Sequence, residues 1–118
     1  LVANGSLTVN GLTVDGFSAN TSNNDANQII FEYPTSTFKT ATFQLKSVQG
    51  NNSQTATIAV NKNPNNNSVH FNVYGTIFIG PALTNYEVDV GYGNVRLMLS
   101  PLLNTNMQHF GSYQIVKE

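Results

Sequence analysis

Asn85-Tyr86-Glu87-Val88-Asp89-Val90-Gly91-Tyr92-Gly93-Asn94-Val95-Arg96-Leu97-Met98-Leu99-Ser100-Pro101 holds two alternating apolar/polar runs joined by a glycine-rich turn. Tyr86, Val88 and Val90 share one face of the first run and Glu87 and Asp89 the other. Val95, Leu97 and Leu99 repeat the alternation after Gly91, Gly93 and Asn94, residue types that supply positive φ. The stretch predicts an antiparallel hairpin with one wet face and one buried face.

The same period extends upstream. Strands are predicted at 28–33, 38–48, 55–61, 69–74, 76–79, 85–90, 95–99 and 113–117. Breaker clusters separate them: Gly50-Asn51-Asn52, Asn63-Pro64-Asn65-Asn66-Asn67, Gly80-Pro81 and Gly91 to Asn94. β-Branched and aromatic residues dominate every run, and no run has helical period. Short connections favour antiparallel neighbours, so the fold class is all-β, an antiparallel β-sandwich of jelly-roll type. Alternation assigns Phe43, Leu45, Ile58, Val60, Val69, Phe71, Val73, Tyr86, Val88, Val90, Val95, Leu97, Leu99 and Ile115 to the core.

The beginning of the chain reads differently. Asn4-Gly5-Ser6-Leu7-Thr8-Val9 is followed by Asn10-Gly11-Leu12-Thr13-Val14-Asp15-Gly16, a short repeat of β-formers between Asn-Gly or Asp-Gly turns. Residues 1–27 are therefore set apart as a β-turn repeat segment and linker, with a sandwich domain at 28–118. Such short strands need neighbours. Either the chain's own domain or sister chains wrapped about a common axis supply them, and Leu7, Val9, Leu12 and Val14 are the interface candidates. A homotrimer is expected. The chain starts at Leu1 rather than Met, which is expected of a fragment or processed product.

Parts of this pattern carry a resemblance. Gly93-Asn94-Val95-Arg96-Leu97, Pro101 and the closing Tyr113-Gln114-Ile115-Val116-Lys117 resemble the C-terminal β-domain of virion proteins of tailed phages, especially myoviruses of cyanobacteria. Ala41-Thr42-Phe43-Gln44-Leu45-Lys46 and Ala56-Thr57-Ile58-Ala59-Val60 are similar to its first two strands. Val69 to Phe78 is similar to its central aromatic-Tyr-Gly hairpin. The resemblance covers about residues 38 to 117 and departs from the family at 102–111, which is more apolar than the family's short polar connection. It implies a structural virion protein, a module of a tail fibre, baseplate or neck in contact with other virion proteins. A capsid decoration or head-fibre protein is the alternative, as is a carbohydrate-binding module that contacts a host surface glycan.

Composition narrows the chemistry. Only 9% of the 118 residues are charged, the net charge is −1, and there is no cysteine. Disulfides, thiolate metal sites and thiol nucleophiles are thereby excluded. Four scattered lysines and the single Arg96 leave no basic patch for nucleic acid. No apolar run approaches the roughly 20 residues that cross a bilayer as a helix.

Catalysis has little to stand on. Glu87 and Asp89 alternate along a wet strand face, Asp15 and Asp25 sit in turn contexts, and no G-x-S-x-G elbow or phosphate loop precedes a helix. His70 and His109 lack ligand-spaced partners; presentation of His70 around a threefold axis is the one route to a metal or anion site. Asn4, Asn20, Asn51 and Asn66 begin N-x-S sequons, read as products of an Asn-rich chain. No enzyme, metal or cofactor is expected. Surface recognition is left, with Tyr33, Tyr74 and Tyr92 as ligand-contact candidates beside Phe78 and Phe110. Arg96, whose planar fork suits carbonyls or a carboxylate of a neighbouring strand or chain, is a further interface candidate.

Overall fold

The computed structural model describes residues 7–9 and 11–117. Among these residues there are nine strands and no helix: β1 (Leu7–Val9), β2 (Leu12–Thr21), β3 (Gln28–Pro34), β4 (Phe38–Gln49), β5 (Asn52–Lys62), β6 (Val69–Ile79), β7 (Thr84–Gly91), β8 (Asn94–Pro101) and β9 (Met107–Lys117). They form two antiparallel sheets, one of six strands in the order β1-β2-β9-β4-β5-β6 and one of three in the order β3-β8-β7. The inward residues of both meet in one core. Phe38, Phe43, Leu45, Ile58, Val60 and Ile115 of the large sheet pack with Val88, Val95, Leu97 and Leu99 of the small one. A β-sandwich is what two one-sided sheets need in order to bury their apolar faces.

The β7–β8 hairpin pairs as the alternation predicts, with Tyr86 opposite Leu99, Val88 opposite Leu97 and Val90 opposite Val95, but its outer face is not wet throughout, since Met98, opposite Glu87, is buried. Its two-residue turn is Tyr92-Gly93, both at positive φ (52° and 78°), the type I′ requirement. Gly91 and Asn94 are the last paired residues instead. The room at Gly91 is taken by Arg96, whose guanidinium carbon lies 2.5 Å from where a Cβ would stand.

Three expectations are corrected. The predicted hairpin of 69–74 and 76–79 is one continuous strand, β6, whose register against β5 shifts between Thr55 and Thr57. Gly75, at φ 65°, forms a bulge there rather than a turn, and a bulge keeps the chain in the ladder while inserting one residue. Second, Asp15-Gly16 is not a turn, because β2 runs unbroken alongside β9 from Leu12 opposite Val116 to Thr21 opposite Met107. Third, β9 starts at Met107, so the second half of the apolar 102–111 segment is strand rather than connection.

The early strands join the main body. Phe17 of β2 packs its ring 5.3 Å from that of Phe31, and Phe31 in turn lies 4.6 Å from Tyr113 and 5.4 Å from Phe43. Opposite Phe17 stands Gly111, where a Cβ would collide with the Phe17 ring. Leu12 and Val14 face outward beside Val116 and Gln114. Leu7 and Val9 pair with Val14 and Leu12 through the backbone of β1. Asn4, Gly5 and Asn10 of the predicted repeat lie outside the described residues.

Candidate functional site

Cross-strand partners share a face, so the register lays out the outer surface of the large sheet as rows. One row runs Ser18, Phe110, Lys46, Thr55, Ile77 from β2 to β6. The next runs Gly16, Ser112, Gln44, Thr57, Tyr74, and beyond it Val14, Gln114, Thr42, Ala59, Asn72. The outermost rows are Leu12, Val116, Thr40, Asn61, His70 at one end and Asn20, Gln108, Val48, Ser53, Ile79 at the other. These rows hold Lys46 and His70 and no carboxylate.

Between Phe110 and Ile77 the face sinks into an open groove of about 450 Å³, with Gln44, Lys46, Thr55, Thr57 and Ser112 along its floor. Phe110 is 47% and Ile77 65% exposed. Tyr74, 49% exposed, stands in the adjoining row. Gly75 adds no side chain beside Thr57 at the groove.

Titratable chemistry lies elsewhere. Arg96 and Asp89 face each other across β7 and β8 and close a two-pronged ion pair, Nε donating to Oδ1 at 2.7 Å and Nη2 to Oδ2 at 2.6 Å. That contact, first among its causes, raises the Arg96 pKa further above its ordinary value. The guanidinium also lies 5.9 Å from the centroid of the Tyr92 ring, which is 98% exposed at the hairpin tip. Arg96 thus clasps a neighbouring strand of its own chain. Glu87 is exposed on the same face, whereas Asp89 is engaged by Arg96 rather than merely keeping the strand wet.

On the inner face of the large sheet one row is polar: His109 opposite Ser47, and Ser47 opposite Gln54. His109 bridges two hydroxyls, Nδ1 lying 2.8 Å from Ser47 Oγ and Nε2 2.9 Å from Thr21 Oγ1. Burial alone lowers its pKa, since the charged ring has no carboxylate beside it. Ser47 and His109 are each 1% exposed, so no reactant in solution reaches the pair. Gln54 accepts from the Leu83 backbone N–H at 2.7 Å and donates to the Thr84 carbonyl at 2.9 Å and the Tyr86 hydroxyl at 2.8 Å. Among the described residues no buried side-chain nitrogen or oxygen is left without a partner.

The remaining candidates are dispersed. Tyr33 is half-buried, its ring 6.1 Å from Phe38, and belongs to the rim of the core. Tyr92 tips the hairpin, and His70 lies at the far end of the outer face. Asp15 lies within β2, where its carboxylate contributes to raising the Tyr113 pKa, after desolvation. Among the described residues no three His, Asp or Glu side chains gather as a metal site. Sequence reasoning missed Gln44, Thr55, Thr57 and Ser112; their signal was outward alternation, which marks a face and leaves open which strands adjoin. In comparisons with known proteins, no family model and no curated protein matches the chain.

Proposed function

We propose that this chain is a non-catalytic β-sandwich module of a tailed-phage virion, in a tail fibre, baseplate or neck, and that it works by packing against neighbouring subunits, copies of itself in a homotrimer among them. The observation that carries the reading is the open edge of the large sheet. β6 is its terminal strand, contains no Asp, Glu, Lys, Arg or Pro, and ends in Ile77, Phe78 and Ile79, which are 65%, 50% and 62% exposed. Edge strands of free-standing domains are ordinarily short, charged or covered. At the opposite edge β1 has only three residues, whereas β6 offers eleven and a run of apolar side chains that favours contact with another chain. The resemblance of residues 38–117 to virion β-domains supports the same reading.

The test is to locate the protein in purified particles of the phage that encodes it, by mass spectrometry and cryo-electron microscopy. Density for the sandwich in the tail, with β6 against a neighbouring subunit, is the expected result. Density on the capsid surface would move the protein to the decoration or head-fibre class, and absence from purified particles would end the virion reading.

A further inference from the structure

Most polar side chains on the other faces of the sandwich are in use. Arg96 is held by Asp89, Gln54 by the 83–86 strand entry, and His109 by Ser47 and Thr21. The groove on the outer face differs. Gln44, Lys46, Thr55, Thr57 and Ser112 converge on it, and none of them makes a side-chain hydrogen bond or an ion pair with another described residue. We infer that this groove binds an acidic oligosaccharide, with Lys46 on a sugar carboxylate and Phe110 against the C–H face of a ring.

The ligand class follows from what the groove offers. Hydroxyls and amides both donate and accept, as sugar hydroxyls do, so Thr55, Thr57, Ser112 and Gln44 can each be matched by a polyhydroxylated ligand in either sense. A protein surface laid on the same floor would bury those groups, and each one left unmatched would oppose binding. The charge is specific too. Lys46 is the lone lysine of rows that hold no carboxylate, so it is complementary to a single negative group and unsuited to the repeated phosphates of nucleic acid. Phe110 and Ile77 are three strand spacings apart in one row, about 14 Å, which admits a short run of rings lying across the strands. A strand added at β6 would extend the sheet in its own plane, leaving this face open, so the inference stands independently of the virion reading.

The experiment is amide chemical-shift mapping of the whole chain with tetragalacturonate and tetramannuronate as acidic probes and cellotetraose as the uncharged one. Saturable shifts confined to residues 44–46, 55–57, 74–77 and 110–112, with dissociation constants of about 1 mM or tighter, are expected for an acidic probe. Lys46→Gln should then weaken binding by about tenfold or more, the loss of one charge-assisted contact, while Lys39→Gln leaves it unchanged. Phe110→Ala should weaken it as well. The inference is overturned if neither acidic probe moves the groove amides at about 10 mM, if the shifts fall elsewhere, or if Lys46→Gln binds as well as the parent chain.

Discussion

His109 and Ser47 stand directly opposite each other on β9 and β4, with Nδ1 and Oγ 2.8 Å apart in the interior of the sandwich. The pair extends sideways to Gln54, Ser47's partner on β5, so a polar row crosses one end of the inner face. Its β5 end, Gln54, reaches the connection that leads into the three-stranded sheet. There Gln54 meets the backbone of Leu83 and Thr84, at the chain's entry into β7. Backbone groups in such a connection need partners, and Gln54 supplies them.

Stability should depend on pH through His109. Its folded-state pKa lies below the ordinary 6.5, so the unfolded chain binds the proton first. The contribution is therefore full above pH 6.5 and is lost as pH falls toward the folded-state value. Denaturant midpoints between about pH 7.5 and 5.5, above most of the carboxylate range, should fall with pH. In His109→Gln that slope should flatten. His109→Ala should cost about 2–4 kcal/mol, from the space left and two buried hydroxyls without a partner.

Gln54→Leu keeps the approximate volume and removes every polar contact at 83–86. The Leu83 N–H and Thr84 carbonyl then lose their partner inside the protein, at about 1–3 kcal/mol for each buried group left unsatisfied. Hydrogen exchange should accelerate at Leu83 and Thr84 more than at Ile58, which lies two alternations beyond Gln54 on β5. Equal acceleration at both would show that the whole sandwich, not the connection, is what Gln54 holds.

How legible this was depended on distance along the chain. Local period read correctly: Val88, Val95, Leu97 and Leu99 are buried as the alternation of 85–101 implies, because a hairpin brings together residues adjacent in sequence. Long-range pairing was not legible. Phe17 contributes its ring to the core only because β2 lies along β9, roughly a hundred residues later, and the flanking glycine and serine gave it the look of a turn segment. The Thr21–His109–Ser47 bridge has the same origin, with sequence separations of 88 and 62. Gly75 misled in the opposite direction, since a glycine between two β runs fits a bulge as well as a turn.

Burial within β6 should grade with its position at the edge. Phe71 faces inward but is only half-buried, lacking a strand beyond it, whereas Phe43 is 1% exposed at the centre of the sheet. Phe43→Ala should cost about 3–5 kcal/mol. Phe71→Ala should cost less, about 1–2 kcal/mol from partial loss of buried area. Asn72→Ala, on the outer face, should shift stability by no more than about 0.5 kcal/mol. A Phe71 effect as large as that of Phe43 would indicate that β6 is covered in solution, by a second copy or another strand.

The last expectation concerns Arg96 and Asp89. A guanidinium reaches a carboxylate with two parallel donors, and Lys keeps the charge while losing that geometry. Gly91 leaves the space in which the guanidinium lies, so the pair also fixes the end of the β7–β8 hairpin. Arg96→Lys and Asp89→Asn should each lower the melting temperature modestly. The double variant should lose less than the sum of the two, as for residues that act on one another. Glu87→Gln, on the same face and exposed, should leave it unchanged. The comparison also separates a clasp within the chain from one between chains. If the loss in Arg96→Lys is independent of protein concentration, the fork is spent on Asp89 of the same molecule; a loss that grows on dilution would place its main contact across a subunit boundary.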